Sequence, residues 1–158
     1  MFREMRRAKQ AVSQQRCLEI LTAAKRGVMS VLGDDGYPYG VPVNFHYDSE
    51  SGIIYLHGAK EGHKIDAIRR CPKVCFTVWE EDGKKAGDWA WYVTSVIAMG
   101  EAKLVDDPAL TETMLRELGR KYYPDMESAE QEIRAAACHV QLIAISVRHM
   151  TGKQIHEK

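Results

Sequence analysis

The chain has 158 residues, 45% of them hydrophobic and 28% charged, so it can bury about two-thirds of its unfolded surface in one domain and is neither disordered nor fibrous. Its 22 basic residues balance 22 acidic ones, which leaves no net field to attract nucleic acid or an anionic membrane. No apolar run approaches the roughly eighteen residues of a membrane span, and the opening MFREMRRAKQ lacks the apolar core of a signal peptide. We therefore expect one cytoplasmic domain over residues 1–158 that binds neither nucleic acid nor membrane.

The first part of the chain predicts a helix followed by a β-hairpin. Ser13 precedes a stretch with apolar residues at helical spacing, and Gly27 follows two basic residues as a stop signal. The runs GVMSVLG and YGVPVNFHYD then alternate as strands do, and the intervening DDGYP contains an Asp-Gly step suited to a tight turn. Pro42 lies inside the second run, which places that strand at a sheet edge or at a bulge.

The middle of the chain predicts two shorter strands, a short helix and one long strand. IIYLHG is followed by a helix from about Gly62 to Arg70, and KVCFTVWEE follows the helix. The long run WAWYVTSVIAMGEAKLVD is apolar on both faces from Val93 to Met99, and Gly100 marks a bulge or bend. A strand that is apolar on both faces needs a second cover, which is either a helix or another subunit.

The remaining segments predict two helices and a last strand. Asp107-Pro108 opens a helix that runs to about Tyr122, a second helix covers residues 128–137, and HVQLIAISVRHMTGK closes the chain as a strand and tail. Because the strands come in hairpins with few helices between them, we predict a mainly β (α+β) antiparallel barrel or sandwich with peripheral helices.

The start of the short central helix has an unusual charge distribution. His63 and Lys64 lie in its first turn, where unpaired backbone N–H groups and the helix dipole disfavour cations. Either nearby carboxylates such as Glu61 and Asp66 offset these charges in a solvated turn, or an anion binds there. Such an anion would approach the backbone closely at Gly58, Ala59 and Gly62, and Lys64 would neutralise part of its charge.

Other site patterns are absent from the sequence. It has no Walker motif, no G-x-G-x-x-G and no G-x-S-x-G. Its six histidines and four cysteines show no metal-ligand spacing, so we expect free thiols and no metal site. The tryptophans at 79, 89 and 91 fit a core or subunit interface better than a pocket for a flat ring.

Several segments together resemble the nitroimidazole-resistance branch of the pyridoxamine 5'-phosphate oxidase-like family. They are MRRAKQ, GDDGYPYGVPVNF, IYLHGAKEGHKIDAI, KVCFTV, SVIAMGEAKLV and ISVRHMTGK. The resemblance covers nearly the whole chain and is most specific at G-Y-P and at H-G-A-x-x-G-H-K. It implies an antiparallel FMN-binding split barrel that forms a homodimer, with one FMN at each of two sites between the subunits.

The same resemblance implies the residues that contact FMN. The phosphate would meet His63 and Lys64, the strand at Val43 and Asn44 would run along the flavin ring, and the partner subunit would present residues 94–96. His57 would either hydrogen-bond the cofactor or transfer a proton. The full expected set is Val43, Asn44, His57, Gly58, Ala59, Gly62, His63, Lys64, Thr94, Ser95 and Val96.

The implied activity is an FMN-dependent oxidoreductase that passes electrons from a reduced nicotinamide to a small acceptor such as a nitroaromatic ring. Two alternatives stay open: a flavin-binding or storage protein without turnover, and the same fold holding haem or a deazaflavin. The C-terminal segment lacks the basic substrate-phosphate cluster of the pyridoxamine phosphate oxidases proper, which argues against vitamin B6 oxidation.

Overall fold

A computed structural model describes residues 2–84 and 86–156, which form four helices and seven strands. The first helix and the strands around it are α1 (Gln14–Ala23), β1 (Gly27–Leu32), β2 (Pro38–Val43), β3 (His46–Asp48) and β4 (Ile53–Ala59). The remaining elements are α2 (His63–Arg70), β5 (Lys73–Lys84), β6 (Trp91–Val105), α3 (Pro108–Tyr122), α4 (Met126–Ala136) and β7 (Val140–His156).

All seven strands belong to one sheet in the order β2-β1-β5-β6-β7-β4-β3, and every pairing is antiparallel. The sheet and its four helices form an α+β split barrel, which confirms the predicted fold class. β2 lies at one edge, so Pro42 removes no hydrogen bond from an inner strand. The predicted hairpin turn is also present, since Gly33 N–H donates to the carbonyl of Tyr37 at 2.8 Å.

One predicted strand is in fact two. The alternation through residues 39–48 suggests a continuous strand, but β2 ends at Val43 and β3 begins at His46. Phe45 lies in the break and is fully buried, and its backbone N–H and carbonyl bond the hydroxyl of Tyr122 instead of a neighbouring strand. The break is possible because a side chain satisfies the backbone groups that leave the sheet.

Gly100 lies at the predicted irregularity in β6. The pairing of β6 with β7 shifts there, from Met99 opposite His149 to Gly100 opposite Val147, and a side chain at Gly100 would clash with the carbonyl of Ser146. The shift leaves Arg148 as an extra residue on β7, as in a β-bulge.

The two faces of β6 differ in how they are covered. Val96 and Ala98 are fully buried in the core, whereas Ile97 and Met99, which point the other way, are 37% and 42% exposed. Trp79 on β5 lies close to the same outer face, because it pairs with Ser95, and is 48% exposed. In residues 2–84 and 86–156 no helix therefore covers this outer face of β6.

The core forms between the inner face of the sheet and helices α1 and α2. Its fully buried members include Phe45, Phe76, Ile54, Leu56 and Ile65. Helices α1 and α3 begin where the sequence predicts, because Ser13 and Asp107 each accept a hydrogen bond from the backbone of the first turn. Helix α4 begins at Met126, two residues before the predicted start, because Asp125 accepts from Ser128 N–H and caps it.

Helices α3 and α4 pack against each other around a separate small cluster of Leu115, Leu118 and Ile133. None of the helices in the described residues is long and apolar enough to cross a membrane. All four cysteines are free thiols, as predicted.

Candidate functional site

The end of β4 and the start of α2 bring Lys64 against the backbone of Gly58. A Cβ atom built on Gly58 would lie 2.5 Å from Lys64 Nζ, so a larger residue at this position would displace the amino group. Burial lowers the pKa of Lys64, and within residues 2–84 and 86–156 its amino group forms no ion pair. A desolvated ammonium without a carboxylate partner favours an anion from outside the chain.

The N-terminus of α2 is open at the same place. Gly62 is the N-cap residue, with φ of +122°, and supplies no capping side chain. A Cβ atom at Gly62 would have nothing within 4 Å. Because the first N–H groups of a helix have no partner within the helix, this open start provides donors for an anion beside Lys64.

His63 is turned away from Lys64 toward the β1–β2 hairpin. Its ring stacks on Tyr39 with centroids 4.1 Å apart, and its Nε2 lies 3.6 Å from a carboxylate oxygen of Asp34. Asp34 also pairs with Arg70 at 2.8 Å. The carboxylate that offsets charge at this helix is therefore Asp34, and not Glu61 or Asp66 as the sequence alternative assumed; Asp66 pairs with Arg69.

His57 lies beside Lys64, near the C-terminal end of β4. Desolvation lowers the pKa of His57, and the nearby charge of Lys64 lowers it further. The imidazole is therefore neutral near pH 7, with one nitrogen able to donate and the other able to accept a hydrogen bond.

A cavity of about 160 Å³ adjoins His57. Asn44, from the break between β2 and β3, and His57 form its sheet side, so the structure brings together two expected site residues that are 13 positions apart in the chain. Helices α3 and α4 form the rest of its wall with Leu115, Leu118, Gly119, Tyr122, Tyr123, Ala129, Glu132, Ile133, Ala136 and Ala137, and Val140 completes it.

Tyr122 is a site residue that the sequence reasoning missed. Its hydroxyl accepts from Phe45 N–H at 3.0 Å and lies 2.9 Å from the carbonyls of both Phe45 and Lys25. This hydroxyl ties the end of α3 to the strand break and so holds Asn44 at the cavity. The only signal in the sequence is a tyrosine at the end of the apolar helix stripe, and that signal does not identify its partner.

The expected residues on β6 lie far from His57 within one chain. Val105 of β6 and His57 both pair with Leu142 of β7, whereas Thr94 is near the other end of β6. The strand path from Thr94 to Val105 is roughly 36 Å. Thr94 and Val96 are buried in the core, and the neighbouring Ser95 is on the outer face.

Val43 and Ala59 complete the positions of the expected residues. Val43 is buried at the end of β2, next to Asn44, and Ala59 is exposed at the end of β4. The structure therefore groups the expected residues of β2, β4 and α2 at one end of the sheet and separates residues 94–96 from them.

Comparison with known proteins identifies the family to which this arrangement belongs. The family model for pyridoxamine 5'-phosphate oxidase matches residues 13–154. The chain belongs to the pyridoxamine 5'-phosphate oxidase family. The match includes both the β4–α2 junction and the α3–α4 pair, and it confirms the predicted family.

Solved structures with the same fold include members with different ligands in their names. A candidate 5-nitroimidazole antibiotic resistance protein from Bacteroides thetaiotaomicron aligns with a TM-score of 0.78 at 25% identity, over 92% of this chain and 87% of that one. The flavocytochrome Anf3 from Azotobacter vinelandii aligns with a TM-score of 0.75 at 21% identity, over 95% and 71%. An FAD-binding protein from Mesorhizobium loti aligns with a TM-score of 0.65 at 20% identity, over 92% and 96%. A search of the curated proteins finds none that matches the chain.

Proposed function

We propose that this member of the pyridoxamine 5'-phosphate oxidase family is an FMN-binding oxidoreductase. The observation that carries the proposal is the unpaired, desolvated Lys64 beside Gly58 at the open N-terminus of α2. A phosphate dianion fits this position, because it gains both the ammonium and the helix N–H groups as donors. The names of two relatives of the same fold, a flavocytochrome and an FAD-binding protein, support a flavin as the source of that phosphate.

The flavin ring would lie between the strand ends that carry Asn44 and His57. Val43 and Asn44 would place backbone and amide groups along its polar edge, and Gly58 and Ala59 would let it approach β4 closely. His57 would contact the cofactor as a neutral ring, because desolvation and Lys64 lower its pKa. Bound FMN would supply the redox chemistry, taking electrons from a reduced nicotinamide and passing them to a small acceptor such as a nitroaromatic.

A homodimer would complete this site. Thr94, Ser95 and Val96 lie far from His57 along β6, so this segment would reach a flavin held at His57 from a second subunit, through the outward-facing Ser95, because Thr94 and Val96 are buried in the core. The outer face of β6, with Ile97 and Met99 exposed beside it, is the surface that such a subunit would cover.

The absorbance spectrum of the purified protein tests the cofactor. We expect the flavin bands near those of free FMN, FMN as the chromophore released and identified by mass spectrometry, and thermal stabilisation of stripped protein by added FMN. A colourless protein that is not stabilised by FMN would refute the proposal. If the released chromophore is FAD, haem or a deazaflavin, the fold assignment stands and the proposed cofactor is wrong.

Anaerobic reduction tests catalysis separately from binding. We expect NADH or NADPH to bleach the bound flavin, and a nitroaromatic to restore its absorbance. Flavin that neither nicotinamide reduces would support the alternative of a flavin-storage protein.

The substitution Ser95→Arg tests the dimer. An arginine on the outer face of β6 would prevent close packing of a second subunit, so we expect both a monomer by light scattering and loss of bound FMN. The matched change Lys103→Arg, on an exposed position of the same strand, should leave both unchanged. A normal dimer with full FMN occupancy in Ser95→Arg would contradict the proposed interface.

A further inference from the structure

We propose that the cavity between α3, α4 and the sheet is the acceptor pocket, and that it takes an uncharged molecule the size of one aromatic ring while excluding phosphorylated compounds. The inference rests on the proposed function for what the occupant does. The size, polarity and charge of the occupant are argued from the cavity alone.

The volume and walls of the cavity set the size and polarity of its occupant. Its volume is about 160 Å³, and a cavity of about 150 Å³ lined by aliphatic and aromatic side chains is dry and binds benzene. Leu115, Leu118 and Ile133 supply most of the apolar wall. A single ring with one small substituent therefore matches the apolar part of this cavity, which opens to solvent at the exposed Asn44, His57 and Glu132.

Small residues of the two helices line this space. Gly119 of α3 and Ala129 of α4 pack so closely that a Cβ atom on Gly119 would lie 2.9 Å from Ala129 Cβ. Ala136 and Ala137, at the end of α4, leave the region next to His57 unfilled. A larger side chain at Ala136 would project into the volume, whereas its neighbour Ala135 is exposed and does not line it.

The charges around the cavity exclude anions. No lysine or arginine is among its lining residues in the part of the chain that the structure describes, and Glu132 contributes a carboxylate. His57 adds no positive charge near pH 7, because its pKa is lowered. The phosphate of a bound ester would meet the carboxylate of Glu132 and no basic side chain of the lining, so the ester would bind poorly. The cation of the site, Lys64, is instead placed for the cofactor phosphate.

The position of the cavity connects it to the cofactor. Asn44 and His57 line its exposed, sheet-side end, and they are the residues proposed to contact the flavin from two different strands. A ring inside the cavity would therefore touch the same two side chains as the flavin.

Binding of two probes to the purified dimeric protein, with and without FMN, tests the pocket. Nitrobenzene and 4-nitrophenyl phosphate share the ring and nitro group and differ in the phosphate. We expect saturable binding of nitrobenzene by titration calorimetry or ligand-observed NMR, and affinity for 4-nitrophenyl phosphate at least tenfold weaker. No detectable binding of nitrobenzene, or equal affinity for the two probes, would overturn the proposal.

Two matched pairs of variants locate the binding. Ala136→Leu should weaken nitrobenzene binding at least tenfold and Ala135→Leu less than twofold, since both place leucine on α4 and only the first fills the cavity. Glu132→Lys should strengthen binding of 4-nitrophenyl phosphate at least fivefold, whereas Gln131→Lys, one exposed position earlier, should not. An unchanged affinity in Ala136→Leu, or equal effects of the two lysine variants, would refute the location.

These outcomes separate the pocket from the cofactor. If the wild-type protein binds nitrobenzene but not FMN, the proposed function is refuted and the pocket proposal is supported. If the protein binds FMN and its flavin is reduced, but Ala136→Leu does not change the affinity for nitrobenzene, the pocket proposal is refuted and the proposed function is supported.

Discussion

Two regions of the molecule differ in how tightly they pack. The first region is the sheet with α1 and α2, and the second is the pair of helices α3 and α4. In the first region, Phe45, Phe76 and Leu56 are fully buried in one continuous cluster. In the second, Leu115 and Ile133 are each 8% exposed, their cluster is small, and it borders the cavity of about 160 Å³. The first region therefore supplies the rigid strand ends of the site, and the second supplies a wall that can accommodate a guest.

The two regions also differ in how they satisfy polar groups. The proposed phosphate position uses backbone donors and Lys64, all fixed by β4 and α2. In the helix pair, the amino group of Lys121 is buried without a hydrogen-bond partner among the described residues. The looser packing around the cavity indicates that the helix pair is the less stable of the two regions.

The substitution Phe76→Ala should have the largest effect on stability. Phe76 is fully buried, and its ring packs edge to face on Phe45 with centroids 4.9 Å apart. Its removal should lower the free energy of unfolding by about 3–5 kcal/mol, measured by urea denaturation of the FMN-free protein. Ile133→Ala in the helix pair should lower it by only about 2 kcal/mol, because fewer atoms surround Ile133. Equal losses would show that the two regions unfold with the same cooperativity and contradict the comparison.

The local sequence patterns predicted the first region well. The helix boundary at Ser13, the edge position of Pro42 and the irregularity at Gly100 all follow from properties of single residues: a side-chain acceptor, a missing N–H and a missing Cβ. These properties act within a few positions of the chain, so the sequence suffices to find them.

The second region and the site depended on contacts between distant segments. Alternation continues from Val43 to Phe45 across the strand break, and nothing nearby shows that Tyr122 replaces the strand partner there. The partner of His63 is Asp34, from a hairpin 29 positions earlier. The walls of the cavity likewise come together through the close contact of Gly119 and Ala129 on two different helices. Each of these depends on tertiary packing, which periodicity does not encode.

Lys64→Ala should weaken cofactor binding, and its effect should be confined to the first region, which contains Lys64. Loss of a charge-assisted hydrogen bond to a phosphate should reduce FMN affinity by about 1.5–3 kcal/mol, measured by fluorescence titration of stripped protein. Lys60→Ala removes an exposed lysine four positions earlier and should leave the dissociation constant unchanged. An unaltered constant in Lys64→Ala would mean that the phosphate binds elsewhere.

Tyr122→Phe tests the connection between the two regions. Without the hydroxyl, the N–H and carbonyl of Phe45 lose their partner, and stability should fall by about 1–3 kcal/mol. Hydrogen exchange at the amide of Phe45 should accelerate as well. Tyr123→Phe, a neighbouring cavity residue that is 42% exposed, provides the control and should change neither quantity. Unchanged exchange at Phe45 in Tyr122→Phe would show that solvent or another group replaces the hydroxyl without loss.

Lys121→Met should have the smallest effect and the opposite sign. Burial, the larger cause, and the charge of Lys25 lower the pKa of Lys121 to about 8, against about 10.4 for an unfolded lysine. Between these values the unfolded chain binds more protons than the folded one, so the stability contributed by this group rises with pH there. Below pH 8 both states are protonated and the penalty of burying the charge is fully present. Methionine should therefore raise stability at pH 7 by about 1 kcal/mol after allowance for partial solvation.

Urea denaturation of the wild type and Lys121→Met at pH 7, 8, 9 and 10 measures both consequences, and the advantage of methionine should shrink as the pH rises. Lys103→Met, which removes an exposed lysine from β6, controls for the change in net charge and should show no such convergence. The ammonium of Lys121 also lies 4.1 Å from the ring centroid of Phe45, an arrangement that favours the charged form. If Lys121→Met is less stable than the wild type at pH 7, this contact outweighs the burial penalty. The contact of Lys121 with Phe45 would then be a second stabilising contact, besides that of Tyr122, between the helix pair and the strand break.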